Sequence, residues 1–151
     1  MPKLSAGLVV WRRRAGALEV LLVHPGGPFW KNKDEGAWSI PKGEYTESED
    51  PLAAARREFT EETGIEPAGE FTLLGEVRQP GGKRVRAWAH QGDYDPAGMQ
   101  SNTFEMEWPP KSGRTQSFPE IDRAAWYTFE EARRKILAGQ LPLLDALAAA
   151  V

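Results

Sequence analysis

The chain has 151 residues, which is the size of one compact domain. Its formal net charge of −3 excludes a strongly basic protein that coats nucleic acid, and the absence of cysteine excludes disulfides, zinc–thiolate centres and cysteine nucleophiles. The first eleven residues lack the pattern of a signal peptide, and no apolar run approaches the roughly 18 residues of a membrane span. We therefore expect a cytoplasmic protein with a single domain over residues 1–151, and no stable nucleic-acid or membrane partner.

The first two predicted strands form a hairpin. Residues 4–11 are rich in β-forming residues, residues 18–24 are almost all apolar, and Gly16 lies in the turn between them. A nearly continuous apolar strand is typical of one that is buried on both faces. A Pro-Gly-Gly-Pro run at 25–28 ends this strand, and a third short strand is predicted at 38–40.

The clearest predicted element is a helix that begins after Asp50. An aspartate is a favourable N-cap, and Pro51 suits the first helical position. Gly64 is the expected terminator. One face of this helix is apolar and should pack on the core, with Leu52, Ala55 and Phe59.

The second half of the chain alternates strands and helices. Two strands flank the Gly81-Gly82 pair, and later elements follow in the order strand, loop, strand, helix, helix. We predict strands at 71–78, 84–90, 103–108 and 123–128, a loop at 109–119, and helices at 129–137 and 142–150. This order predicts an α+β fold with a mixed sheet between helical layers.

Three glutamates of the predicted helix share one narrow face. With about 100° between successive residues, Glu61 and Glu62 lie within roughly 60° of Glu58. Like charges at this spacing destabilise a helix by a few tenths of a kcal/mol per pair. Nearby arginines or a hard divalent cation would offset that repulsion. The spacing alone also describes a solvated acidic helix face, which is a common structure.

The sequence around these glutamates decides between the two interpretations. Residues 43–65 contain a glycine, five residues, a glutamate, seven residues, Arg-Glu, two residues, Glu-Glu, one residue, and Gly-Ile. This pattern resembles the Nudix box at every fixed position, and the one unusual residue is Phe59, where leucine is more common. The resemblance implies an α/β/α sandwich, and a hydrolase that cleaves a phosphate–phosphate bond in a nucleoside-diphosphate-type substrate.

The resemblance also implies a metal site. The glutamates of Arg-Glu and Glu-Glu hold divalent cations in the family, so Glu58, Glu61 and Glu62 are the expected ligands of Mg²⁺ or Mn²⁺. The backbone carbonyl of the residue before the box glycine, here Lys42, is a further expected ligand. Gly43 should permit a tight loop near the metal.

Other box residues are expected to orient the ligands. Glu49 should stabilise the loop and pair with Arg57, although an ordinary surface ion pair is the alternative. A further glutamate commonly follows the box in relatives, and Glu120 is the candidate here; an exposed loop glutamate without a role is the alternative. The proton acceptor for the attacking water would be Glu58, Glu61 or Glu120, and the sequence does not choose among them.

Candidate substrate contacts lie outside the box. Phosphoryl transfer depends on positioning and on charge stabilisation, so cationic side chains should face the substrate. The cationic candidates are Lys42, Lys83, Arg84 and Arg86. Arg84 and Arg86 alternate with apolar residues on a predicted strand and so share a face, which meets either the site or open solvent. His24, at a strand end before two glycines, is a candidate phosphate contact, and a capped turn is the alternative. The candidates for stacking on a base are Phe29, Trp30, Trp38 and Trp88, although each is also a plausible core residue.

The substrate itself is open at this stage. A dinucleoside polyphosphate or a nucleoside triphosphate is favoured, while nucleotide sugars and inositol polyphosphates remain alternatives. A non-hydrolytic domain that senses a nucleotide is the alternative function. An interaction domain with an acidic helix is a third. A homodimer is the default expectation for the oligomeric state.

Overall fold

The computed structural model describes residues 3–151, and its chain begins with a long antiparallel hairpin. Strand β1 (Leu4–Arg14) pairs with β2 (Ala17–Pro25), with Arg14 opposite Ala17. The intervening turn takes positive φ angles at Ala15 and Gly16. Residues 20–24 of β2 are fully buried, which confirms the prediction of a strand covered on both faces.

The remaining elements follow the predicted order with two additional strands. The elements are β3 (Lys42–Glu44), α1 (Pro51–Thr63), β4 (Thr72–Gln79), β5 (Lys83–Gln91), β6 (Thr103–Glu107), β7 (Thr115–Pro119), β8 (Ile121–Thr128), α2 (Phe129–Lys135) and α3 (Leu141–Ala150). Five strands form a mixed sheet in the order β4-β5-β1-β2-β8, and β3 pairs with β1 beside it. Only the β5–β1 pairing in this sheet is parallel.

The sheet lies between two helical layers because its strands are apolar on both faces. On one face, α1 packs against alternate residues of β1 together with Leu21 and Trp88. On the other face, α2 and α3 pack against Val9 and the alternate residues of β5. This is an α/β/α sandwich, as the sequence predicted. No helix within residues 3–151 is long and apolar enough to span a membrane.

Two local predictions are wrong. The segment predicted as a loop at 109–119 contains β7, which pairs with β6 in a separate two-stranded sheet. Residues 38–40 form only isolated bridges, from Ser39 to Val23 and from Trp38 to Ile136, and not a strand. The short strand β3 was not predicted, because three residues are too few to show a periodicity.

Candidate active site

Helix α1 presents three carboxylates at the margin of the sheet. The Asp50 side chain accepts the Ala53 N–H at 3.0 Å and fixes the start of the helix. Gly64, with φ of 77°, ends it in the left-handed conformation. The buried face consists of Ala54, Ala55 and Phe59. Packing of this face against the sheet sets the rotation of the helix, and therefore where its glutamates project.

The backbone of β3 closely approaches these carboxylates. The side chain of Glu58 is packed so tightly on Gly43 that a Cβ added there would lie 2.0 Å from the carboxylate. The Lys42 N–H donates to Glu62 Oε1 at 3.2 Å. Glycine suits position 43 because a side chain there would collide with the Glu58 carboxylate. Its φ angle is not in the positive region, so the backbone conformation is not the reason.

The guanidinium of Arg57 joins the loop before α1 to the helix. It donates to Glu58 Oε1 at 3.0 Å and to Glu61 Oε1 at 3.1 Å. It also contacts both carboxylate oxygens of Glu49 at 3.3 Å. Since a guanidinium is a rigid fork of donors, these contacts fix the orientation of three carboxylates together.

A fourth carboxylate reaches the same region from the other half of the chain. The Glu120 N–H donates to the Asn102 carbonyl at 2.8 Å, and the Asn102 N–H donates to the Glu61 carbonyl at 2.8 Å. The Glu120 carbonyl accepts the Gly26 N–H at 2.9 Å. Asn102 therefore links the end of α1 directly to the residue that precedes β8.

Burial and mutual repulsion raise the pKa values of three of these carboxylates. Burial, and then the charge of Glu61, raises the pKa of Glu58 to about 7. Burial, together with the charges of Glu58 and Glu120, raises the pKa of Glu62 to about 8, although the backbone N–H and the charge of Lys42 oppose the shift. Burial and the charge of Glu61 also raise the pKa of Glu120. Four carboxylates therefore share one crowded, partly dehydrated region.

A cavity of about 340 Å³ opens beside this cluster. Glu62 and Glu120 line it together with Lys42 and Lys83. Burial, followed by the charge of Lys83, lowers the pKa of Lys42 to about 8. The rest of the wall is largely apolar, with Val23, Pro25, Trp30, Pro80, Ile121 and Leu137. A cavity of about 420 Å³ on the other side of Arg57 lacks this carboxylate cluster.

The match to a family model settles the relationship of this chain to known proteins. The model of the NUDIX domain matches residues 1–147. The chain belongs to the Nudix family. It is accordingly a hydrolase of phosphorus-containing acid anhydrides. A comparison of the sequence with curated proteins gives no significant match.

Solved structures share the Nudix fold over nearly the whole chain. A structure of Ap4A hydrolase from C. elegans is 26% identical with a TM-score of 0.64, and the alignment covers 98% of this chain and 96% of that one. The NUDIX domain of NrtR from Shewanella oneidensis is 19% identical with a TM-score of 0.68, and the alignment covers 99% and 88%. The ORF135 protein of E. coli is 23% identical with a TM-score of 0.57, and the alignment covers 98% and 91%.

The donor set at the Nudix box fits a hard divalent cation. Glu58, Glu61 and Glu62 offer only oxygen donors, which Mg²⁺ and Mn²⁺ prefer, and their crowding is what a cation would relieve. Within residues 3–151, no three acidic or histidine side chains already converge as ligands. Arg57 and the Lys42 N–H hold the carboxylates instead. A cation that enters this Nudix site would replace some of these contacts.

Three of the predicted substrate contacts are corrected by burial. His24 is fully buried and both of its ring nitrogens are engaged, so it cannot reach a phosphate. Trp38 is only 3% exposed, donates to Asp34 and packs in the core. Trp88 is likewise a core residue. These three side chains support the Nudix fold and do not line the cavity.

The predicted arginines also lie outside the cavity. Arg84 and Arg86 share a face of β5, as predicted, but both contact Glu76, at 3.7 and 3.4 Å. Lys83 alternates with them and lines the cavity. Among the aromatic candidates, Trp30 lines the cavity and Phe29 is 62% exposed.

The residues that bring Glu120 to helix α1 could not be identified from the sequence. Asn102 and Gly26 hold Glu120 through backbone hydrogen bonds, which any residue type can make. Only Gly26 carried a signal. A Cβ at this position would lie 1.9 Å from the Pro119 carbonyl oxygen, so the glycine permits a close approach in addition to ending β2.

Proposed function

We propose that this Nudix hydrolase is a divalent-metal-dependent pyrophosphohydrolase over a single domain of residues 1–151. It cleaves a phosphoanhydride bond in a nucleoside-diphosphate-type substrate. The observation that carries the proposal is the position of Glu62 and Glu120 on the wall of a cavity that also contains two lysines. Carboxylates that bind a cation, beside ammonium groups that bind an anion, suit a metal–polyphosphate substrate.

In this proposal Glu58, Glu61 and Glu62 hold Mg²⁺ or Mn²⁺, with the Lys42 carbonyl as a further ligand. When bound, the metal neutralises phosphate oxygens and lowers the pKa of a water molecule. Arg57 keeps two of the carboxylates together while the site is assembled. The ammonium groups of Lys42 and Lys83 bind phosphate oxygens in the cavity.

The proton acceptor that the contacts favour is Glu120. Glu58 and Glu61 already accept hydrogen bonds from Arg57, whereas no ion pair within 4 Å engages Glu120 among residues 3–151. Burial and the charge of Glu61 raise the pKa of Glu120, which makes it a stronger base than an ordinary glutamate. The water oxygen bonds to phosphorus, its proton passes to the carboxylate, and the bridging P–O bond breaks. The leaving phosphate departs with the bridging oxygen.

The favoured substrate is a dinucleoside polyphosphate or a nucleoside triphosphate. The relative at 26% identity is an Ap4A hydrolase, which supports this class. The cavity also disfavours an inositol polyphosphate, because its lining includes only two cationic side chains against two carboxylates. Trp30 offers an aromatic surface on the cavity wall for a base.

Non-hydrolytic sensing of a nucleotide is the alternative. The NUDIX domain of NrtR, which resembles this fold, is described in complex with ADP ribose. Retention of all three box glutamates favours catalysis in this chain, because a sensor has no need of a complete metal site. A binding signal without product formation would support the alternative.

The decisive experiment is product identification across a substrate panel. Dinucleoside polyphosphates, nucleoside triphosphates, nucleotide sugars and inositol polyphosphates are incubated with Mg²⁺ or Mn²⁺, with and without a chelator. We expect Glu62→Gln to lose most of the activity while it stays folded. Glu47→Gln removes an exposed glutamate of the same box and should remain active. Wild-type turnover in Glu62→Gln would contradict the proposed metal site.

A further inference from the structure

His24 makes two hydrogen bonds that a neutral imidazole cannot make at once. Its ring is fully buried at the end of β2. Nδ1 lies 2.7 Å from Asp122 Oδ1, and Nε2 lies 2.7 Å from the Lys33 carbonyl oxygen. A backbone carbonyl is only an acceptor, and so is an ionised carboxylate. Either neutral tautomer would therefore place one bare nitrogen lone pair against an acceptor oxygen at 2.7 Å.

The groups around the ring favour a hydrogen on both nitrogens. Arg123 Nε lies 3.6 Å from the same Asp122 oxygen. The indole of Trp38 meets the His24 ring edge-on at a centroid distance of 5.2 Å. Asp122 is thus the acidic partner of the ring, Arg123 is the neighbouring cation, and Lys33 contributes a carbonyl.

These two hydrogen bonds connect the two segments that line the cavity. The Lys33 carbonyl ends the segment 26–33, which contains Trp30, and the Lys33 N–H donates back to the Trp30 carbonyl at 3.0 Å. Asp122 lies in β8, two residues after Glu120. Both Trp30 and Glu120 face the cavity, and His24 lies behind them in the core.

We propose that His24 is a positioning residue, with a hydrogen on each ring nitrogen. It ties the segment 26–33 to the start of β8 and so holds Trp30 and Glu120 on the same wall of the cavity. Its importance for catalysis rests on the proposed function, whereas its hydrogen bonding is independent of any activity. A single buried ring thereby sets the distance between the proposed base-stacking surface and the proposed proton acceptor.

Nitrogen NMR of the histidine rings tests the hydrogen bonding directly. The chain has two histidines, and the second provides an internal control. His90 lies between the Glu70 carbonyl at 3.1 Å and the Tyr94 hydroxyl at 2.6 Å, and a hydroxyl can donate. From these partners we expect both ring nitrogens of His24 to carry a hydrogen, and one of the two on His90. An unprotonated ring nitrogen on His24 would overturn the proposal.

The hydrogen-bonded link from Asp122 through His24 to the Lys33 carbonyl is called the clamp below. Substitution at Asp122 separates the effect of the clamp from the effect of the Asp122 charge. Asp122→Ala removes one end of the clamp, whereas Asp122→Asn can donate its amide N–H to Nδ1 and preserve the clamp around a neutral ring. We expect Asp122→Ala to lower kcat/KM on the order of tenfold, because small displacements of catalytic groups are costly. Hydrogen exchange in residues 26–33 should rise in parallel. Asp122→Asn should restore both properties, with one unprotonated nitrogen on His24.

His90→Gln is the matched control for a buried histidine. It should lower the melting temperature without changing kcat, KM or exchange in residues 26–33. Unchanged kcat/KM and exchange in Asp122→Ala would overturn the proposal. If the wild-type protein hydrolysed no substrate of the panel, the proposed function would fail, while ring protonation and exchange would still decide the role of His24. If Asp122→Ala did not fold, the ring signals of wild type and Asp122→Asn would decide it.

Discussion

Replacement of Gly43 by alanine should inactivate the enzyme without unfolding it. The added Cβ would lie 2.0 Å from the carboxylate of Glu58, whereas real Cβ contacts essentially never fall below 3.0 Å. The carboxylate must therefore move by about 1 Å or more. Because a glutamate carboxylate is the free end of a flexible side chain, the fold can accommodate this shift more easily than the proposed metal site can.

The two effects have different magnitudes. A displacement of about 1 Å in catalytic geometry can reduce activity on the order of 100-fold, so we expect a loss of that size in kcat/KM. The cost to folding should be about 1 kcal/mol, at the low end for added volume in a packed site, and corresponds to about 2–4 °C in Tm. Steady-state kinetics with Mg²⁺ and thermal denaturation measure the two effects on one sample.

Gly98→Ala is the control, since a Cβ there has no neighbour within 4 Å. That variant should keep both its activity and its Tm. Wild-type kcat/KM in Gly43→Ala would refute the reasoning, because it would show that the position of the Glu58 carboxylate is unimportant. A collapse of Tm in Gly43→Ala would also refute it, since the clash would then disrupt the fold as well as the site.

Two further predictions concern charge in the site. The metal-free protein should lose stability as the pH rises from about 5 to 8. The pKa values of Glu58 and Glu62 are about 7 and about 8 in the folded chain, against 4.5 for an ordinary glutamate. The folded chain therefore binds more protons than the unfolded chain in this pH range, and raising the pH favours unfolding. Chemical denaturation at about pH 5 and pH 8, with and without Mg²⁺, measures the free energy of unfolding. Mg²⁺ should restore the stability lost at about pH 8. An equal free energy of unfolding at both pH values without metal would contradict the prediction. Lys83→Met should raise KM severalfold through loss of a phosphate contact, and exposed Lys111→Met should not. Equal KM values for both variants would remove Lys83 from the site.

The parts of the structure that were predictable are encoded by neighbouring residues. Both ends of α1 were predicted correctly, because Asp50, Pro51 and Gly64 each act on the backbone within a few positions. Glu58, Glu61 and Glu62 all lie on this one helix, so the helical period alone places them on one face. The prediction of β2 as a strand buried on both faces succeeded for the same reason, since a continuous apolar run needs no knowledge of its partners.

The failures involve contacts between distant residues. His24 was a candidate phosphate contact because it lies at a strand end before two glycines. Its partner Asp122 lies 98 positions away, and no residue near position 24 indicates that pairing. The alternation of Arg84 and Arg86 correctly placed both on one face of β5. A period of two cannot tell which face meets the cavity, and here the cavity is on the side of Lys83. Strand β7 was missed because proline and glycine at the intervening turn made the whole segment resemble a loop.

The β6–β7 hairpin joins the body of the protein at a neck where its two strands begin and end, and its Trp108 also meets Phe29 edge-on at a centroid distance of 5.6 Å. Thr103 lies opposite Pro119 where the two strands meet the body of the protein, and Asn102 and Glu120 are bonded to each other just inside that point. Chain inserted or removed beyond the neck therefore leaves the anchor of Glu120 in place. Evolution or design can therefore vary the length of this hairpin without displacing Glu120 from the carboxylate cluster.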